Sequence, residues 1–326
     1  MRIADLSVDA LLERLSSHGL GLDFGAARSR IRTSLRPLAE SIHTVYGGYR
    51  AEDAIGFFDV TVELRRRRGN RSVLRPQCEV VCDGVRELEP FPLDTTLPLL
   101  EWGTNYALAT RLFCYLMLHA GVVERGGRAI VMPALPGSGK STLTAALTLR
   151  GFRLLSDEFG VVRLEDSRLM RMLRPLALKN ASIDVIRRFE PSAVIGPSFP
   201  RTHKGTVAHL APLASHFDAR HEVAEPALVV FPRFDPSVRV ELEPVSKARA
   251  FARLANNSFN YPALGRASFD ALGQLVEESS CWQLRYGDLQ GAIAALSEVL
   301  DQTRPASAAP LAALDSVPAV DSLGAS

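Results

Sequence analysis

The chain has 326 residues, 47% of them hydrophobic and 23% charged, a globular balance with room for one large domain or two modest ones. The formal net charge of +2 argues against a whole-chain binder of nucleic acid or membrane surfaces. The basic start lacks a following apolar run, and no stretch approaches the roughly 18 uncharged apolar residues of a membrane span, so the expected location is the cytoplasm.

Val8 to Leu15 has helical spacing. Ile55 to Leu64 is rich in β-branched residues and partly alternating, which predicts a strand. Arg65 to Arg68 and the turn pair Gly69-Asn70 follow, and a second strand-like run reaches Cys82. The pair predicts a hairpin with a basic tip, more in keeping with a solvated end than with a phosphate contact. Cys78 and Cys82 would share one face of that second strand, and no Cys/His pair nearby completes a metal set. They are expected to be buried thiols, a usage that suits a reducing compartment. Residues 1–100 thus form an N-terminal strand-rich α+β region.

Leu99 to Ala120 reads as largely helical, with Pro98 tolerable at its start and Gly103 placing the first firm turn after itself. His119 would then lie at a helix end. Ala129 to Met132 is a short apolar strand, and a helix is expected from Lys140 to about Arg150, ended by Gly151 in a left-handed conformation. Arg153 to Asp157 is the next strand. Further on, helices are expected near Ser182–Phe189, Ser246–Asn256, Ala267–Glu278 and Asp288–Gln302, with a buried strand at Ala227–Phe231. Asp235 follows that strand past Pro232 and suits a core strand's end better than a metal site. Residues 304–326 are rich in Ala, Pro and Ser and read as a tail.

Between the strand and the helix lies Ala134-Leu135-Pro136-Gly137-Ser138-Gly139-Lys140-Ser141-Thr142. This is a phosphate-loop pattern with Ala134 in place of the usual first glycine. Small residues let successive backbone N–H groups converge on phosphate oxygens, and the helix that follows adds the positive end of its dipole. Lys140 would reach the β- and γ-phosphates, and the Ser141 hydroxyl can join a Mg²⁺ shell. The ligands expected are ATP and Mg²⁺. Asp157 and Glu158 end the next strand, where one carboxylate can hold the metal and the other can take a proton from an attacking hydroxyl. The alternative for the pair is a surface or capping role. A lone His119 is usually structural, but could also lie beside the γ-phosphate.

Leu118 to Val123, Arg128 to Met132, Pro136 to Thr142 and Gly151 to Glu158 together resemble the HPr kinase/phosphorylase group. The likeness is nearest to the HPr-kinase-related kinases of the type called HprK-related kinase A, and runs from about residue 50 to 300. Glu101 to Asn105, Arg174 to Asn180, Lys204 to Leu210 and Asn257 to Tyr261 also resemble that type. The resemblance implies an α/β fold with a P-loop kinase core of the HPr kinase/phosphoenolpyruvate-carboxykinase-like type, over residues 101–303. It implies phosphoryl transfer from ATP to a hydroxyl, with Asp157 as general base, Glu158 near the metal, and His119 and Lys140 in the catalytic set. Lys179 and Lys204 are brought near the site as contacts to phosphate or to an acidic acceptor.

Two departures stand out: Asp157-Glu158 where HPr kinases have two aspartates, and the lack of the C-terminal signature of bona fide HPr kinases. HPr itself and reverse phosphorolysis are therefore not carried over. The acceptor is expected to be a protein or peptide Ser/Thr or a small metabolite, with no nucleic-acid partner. Relatives of this fold often assemble, so a homo-oligomer is among the expectations. The rival readings are a nucleotide-binding regulatory module and an ATPase.

Overall fold

The computed structural model describes residues 1–68, 75–133, 137–217 and 223–303. The architecture is mixed α/β, with three sheets among the described residues. The hairpin tip at Gly69-Asn70, the loop residues Ala134, Leu135 and Pro136, and the expected tail 304–326 lie outside the described residues. Among the described residues, no helix is long and apolar enough to cross a membrane.

The N-terminal sheet forms around alternating strands. Arg28–Thr33 buries every second residue, Ser29, Ile31 and Thr33, as a half-buried strand must. It lies between Leu20–Asp23, which is antiparallel to it, and Val60–Arg66, which is parallel. Helix Arg36–Val45 lies in the crossover that a parallel pair requires. Val60–Arg66 pairs antiparallel with Gln77–Cys82 as expected, but the first strand begins at Val60 and not at Ile55, and Arg65 and Arg66 of the expected basic tip are paired within the ladder. Cys78 and Cys82 are fully buried, and burial pushes their thiols up to about 12 and about 11, so both stay protonated at neutral pH.

The helix expected from Leu99 to Ala120 is shorter and starts earlier, at Thr96–Arg111. Gly103 does not delay it. The glycine lets the helix press onto the sheet, where an added Cβ would lie 2.5 Å from Val80 Cγ2. The helix spans residue 100, and its Leu97, Leu100 and Leu108 share the core of the N-terminal sheet.

His119 is not at a helix end. It sits within the strand Tyr115–Arg125, which has neighbours on both sides. A short apolar run has no decisive period, and here the cross-strand partners decide its conformation.

The central sheet runs in the order Leu169–Met170, Phe159–Arg163, Tyr115–Arg125, Arg128–Pro133, Glu225–Phe234, Ser280–Tyr286, Val240–Pro244. Arg153–Ser156 also pairs with Tyr115–Arg125. Arg128–Pro133, Glu225–Phe234 and Ser280–Tyr286 are parallel, whereas Tyr115–Arg125 is antiparallel to both Arg128–Pro133 and Arg153–Ser156. The carboxyl ends of Arg128–Pro133 and Arg153–Ser156 therefore emerge at the same edge. Helices Lys140–Thr148 and Leu289–Gln302 cover one face, through Leu143, Leu147 and Leu296. Helices Lys247–Asn256 and Arg266–Glu278 cover the other, through Leu254, Leu272 and Leu275. The third sheet, of Leu176–Lys179, Gly205–Leu210 and Phe199–Thr202, lies beside helix Ala181–Phe189.

His216 gives the fold a pH dependence. Burial, with Arg153 and Arg171 nearby, lowers the imidazole from 6.5 to about 4. Between those values the unfolded chain binds a proton that the folded chain refuses, so stability falls as pH drops from 6.5 toward 4. The expected loss is roughly 3 kcal/mol. Urea unfolding at steps across this range should show it, and His216→Gln should remove its share of the slope, leaving the part due to His209 and His119, which burial also lowers. An unchanged slope would mean that other groups carry the effect.

Candidate phosphate-binding site

The site is built where Arg128–Pro133 runs into helix Lys140–Thr148. Gly137 and Gly139 have φ of +85° and +88°, the left-handed region that glycine enters at little cost. Gly139 also has no room for a side chain, because a Cβ would lie 2.5 Å from the Tyr286 hydroxyl. That hydroxyl donates to the Gly139 carbonyl at 3.0 Å, and the Phe234 N–H donates to the Ser138 carbonyl at 2.8 Å. Both strands that run parallel to Arg128–Pro133 thus anchor the loop. Ser141 and Thr142 follow in the first turn of the helix, where backbone N–H groups have no intrahelical acceptor.

Lys140 is 8% exposed and Asp157 is 5% exposed. The Lys140 ammonium donates to the Asp157 backbone carbonyl and lies 3.1 Å from Asp157 Oδ1. An ammonium has three protons, so one remains for a phosphate oxygen. The other carboxylate oxygen, Asp157 Oδ2, is buried with no hydrogen-bond partner. A buried acceptor without a partner is costly, and a hydroxyl proton or a cation would satisfy it.

Glu158 is the meeting point of the remaining groups. Its Oε2 lies 3.6 Å from His119 Nδ1. Burial by itself would raise the Glu158 carboxyl, but Lys140, then His119 when protonated, and Lys179 and Lys204 outweigh it and hold the group below its usual range. Burial and the Lys140 charge lower His119, against the pull of Glu158 and Asp157, and leave it neutral at pH 7. Lys204 is lowered by burial and by Lys179, with Glu158 opposing. Its ammonium lies 5.4 Å from the centre of the Trp102 ring. Trp102, Asp157, Glu158 and Lys179 line one narrow cleft.

His119, Lys140, Asp157, Glu158, Lys179 and Lys204 therefore converge, although they come from well-separated parts of the chain. Asp235 stands apart, held by Arg285 at 2.9 Å and by the Ser237 hydroxyl at 2.5 Å. Among the described residues, no cluster of three or more His, Cys, Asp or Glu side chains is arranged to hold a metal. Any cation here would draw on Glu158, the Ser141 hydroxyl and non-protein oxygens, a donor set that suits a hard ion such as Mg²⁺.

Several supporting residues carry no motif chemistry of their own. Asn257 and His119 exchange backbone and side-chain hydrogen bonds, at 2.7 Å from the His119 N–H and 2.8 Å to its carbonyl. Asn260 accepts from the Met117 N–H at 2.9 Å and donates to the Tyr115 carbonyl at 2.8 Å. The Phe259 ring meets both His119 and Phe159 edge-on. This segment runs along the open edge of the strand and fixes His119. On the other side of the cleft, Arg174 is bound by Glu101 and Asn105, and Glu101 also accepts from the Tyr46 hydroxyl. That network ties the site to the N-terminal helix Arg36–Val45. The motif segments Glu101–Asn105, Arg174–Asn180 and Asn257–Tyr261 contain most of these residues, but their spacing does not reveal the roles.

Comparison with models of known protein families and with curated proteins finds no match, so the functional reading rests on this geometry and on the sequence motifs.

Proposed function

We propose that the chain is an ATP-dependent kinase with a P-loop core resembling that of the HPr-kinase-related kinases. It would move the γ-phosphoryl group of ATP to a hydroxyl of a protein, peptide or small-molecule acceptor. One observation carries the reading. A buried lysine at the start of a glycine-loop helix touches a buried aspartate whose second oxygen has no partner.

Lys140 and the N–H groups of the loop and first helical turn hold the phosphates. Asp157 Oδ2 takes the proton of the acceptor hydroxyl as the phosphoryl group leaves ADP. Neutral His119 lies beside Glu158 and shapes the field there without adding a fixed positive charge. Lys179 and Lys204 offset the negative charge of the reacting phosphoryl group or of an acidic acceptor. Ser141 and Glu158 would hold Mg²⁺, which neutralises phosphate charge and orients the chain of phosphates when bound. Glu in place of the second aspartate is one methylene longer, and it keeps the carboxylate next to His119.

The test is to add the purified chain and γ-labelled ATP with Mg²⁺ to extract of its own cells. Label is expected on one acceptor. Label found only in inorganic phosphate would make the chain an ATPase, and label remaining in ATP would make it a binding module.

A further inference from the structure

A second cavity meets the loop from the opposite face of the central sheet. It is a groove of about 630 Å³, bordered by Ser138 and by residues of Glu225–Phe234, Lys247–Asn256 and Ser280–Tyr286. That volume falls within the roughly 300–1,000 Å³ of small-ligand sites. Its floor includes Phe231, which is 7% exposed and packs with the helices of that face. Lys140, His119 and the acidic pair are not part of it.

Its walls are strongly basic. Arg233, Arg249 and Arg253 line the groove, and none of them pairs with a carboxylate among the described residues. The fourth arginine, Arg285, is neutralised by Asp235 and Glu241. Arg253 is held over Phe231 by two contacts. Its guanidinium lies 4.7 Å from the centre of the Phe231 ring, and it donates to Gln283 Oε1 at 2.9 Å. Burial and Arg249, one turn away, both disfavour its charge. A planar cation fixed on an aromatic ring offers its free face to another planar π system. Asn256 supplies an amide group for the edge of a heterocycle, and Gln283, bound to Arg253 and to the Phe231 carbonyl, fixes the stacked pair.

The placement selects the occupant. The strand Arg128–Pro133 that leads into the loop has Tyr115–Arg125 on one side, beyond which lies Arg153–Ser156 leading to Asp157. On its other side is Glu225–Phe234, whose carboxyl end supplies Phe231 and Arg233 to the groove. A triphosphate that lies across Gly137–Gly139 with its terminal phosphate at Lys140 and Asp157 has its other end at the arginines.

On the reading above, we infer that this groove receives the nucleoside end of ATP. The purine stacks on Arg253, which itself stacks on Phe231. Arg233 and Arg249 supply the positive potential over the phosphate nearest the ribose.

Two ligands separate the two ends of the site. Inorganic tripolyphosphate has the phosphates and lacks the nucleoside. Arg253→Lys keeps the charge and loses the plane. By titration calorimetry this variant is expected to bind Mg·ATP at least about tenfold more weakly, the scale of one lost base stack, and to bind Mg·tripolyphosphate as the wild type does. Normal tripolyphosphate binding also reports an intact fold, and Arg253→Ala should behave in the same way. Unchanged ATP affinity would overturn the inference. So would equal weakening of ATP and tripolyphosphate, which would make Arg253 a general electrostatic or folding residue. If the wild-type chain binds neither ligand, the phosphate-loop reading itself fails.

Discussion

The Asp157→Asn variant is expected to transfer phosphoryl groups about 10²- to 10⁴-fold more slowly than the wild type, the range that general-base catalysis supplies. Its affinity for Mg·ATP should change little. The substitution conserves shape, and the backbone carbonyl that accepts from Lys140 does not depend on the side chain. An amide oxygen can still accept from the ammonium where Oδ1 now lies at 3.1 Å. What the amide cannot do is take a proton from a hydroxyl at the position of the unpartnered Oδ2. The measurement is a single-turnover transfer assay beside a binding titration. Wild-type transfer by the variant would remove Asp157 from the mechanism. Lost ATP binding would instead make it a structural partner of the loop.

Lys140→Ala should act on stability as well as on binding. Lys140 and Asp157 form a buried pair, with side chains 8% and 3% exposed. Removing one member of such a pair leaves a buried charge uncompensated, at a cost of about 3–5 kcal/mol. Removing the charge from both should restore most of that. Denaturant unfolding should therefore place Lys140→Ala far below the wild type and Lys140→Ala/Asp157→Asn well above the single variant. If the double variant is as unstable as the single, the lysine contributes by packing its stem and not by neutralising Asp157.

Periodicity makes part of this fold legible in the sequence. Helices Val8–Ser16, Ala181–Phe189, Lys247–Asn256, Arg266–Glu278 and Leu289–Gln302 fall within a residue or two of their expected bounds, because each buries one face against a sheet. The stretch around His119 was not legible. Tyr115–Arg125 is apolar on both sides because both faces of its sheet are covered, and such a run reads equally well as a buried helix.

The site divides in the same way. Lys140, Asp157 and Glu158 are visible from local pattern, since the loop chemistry needs contiguous residues. Lys179 and Lys204 enter only through the family resemblance, because the third sheet pairs the strand that ends at Lys179 with the strand that follows the turn at Lys204, and no local spacing encodes that. Tyr286 buttresses Gly139 from far along the chain. The arginine groove draws on four separate segments, so only the folded chain places Arg253 over Phe231.

On the proposed function, residues 137–141 hold the phosphates of ATP through Lys140. Titration calorimetry of the wild type and the Lys140→Ala/Asp157→Asn variant with Mg·ATP tests it most directly, since the double variant avoids the stability loss of the single one. A charge-assisted contact to phosphate worth about 1.5–3 kcal/mol predicts one ATP site in the wild type and roughly 10- to 100-fold weaker binding in the variant. Equal affinities, or no ATP binding by the wild type, would contradict the account.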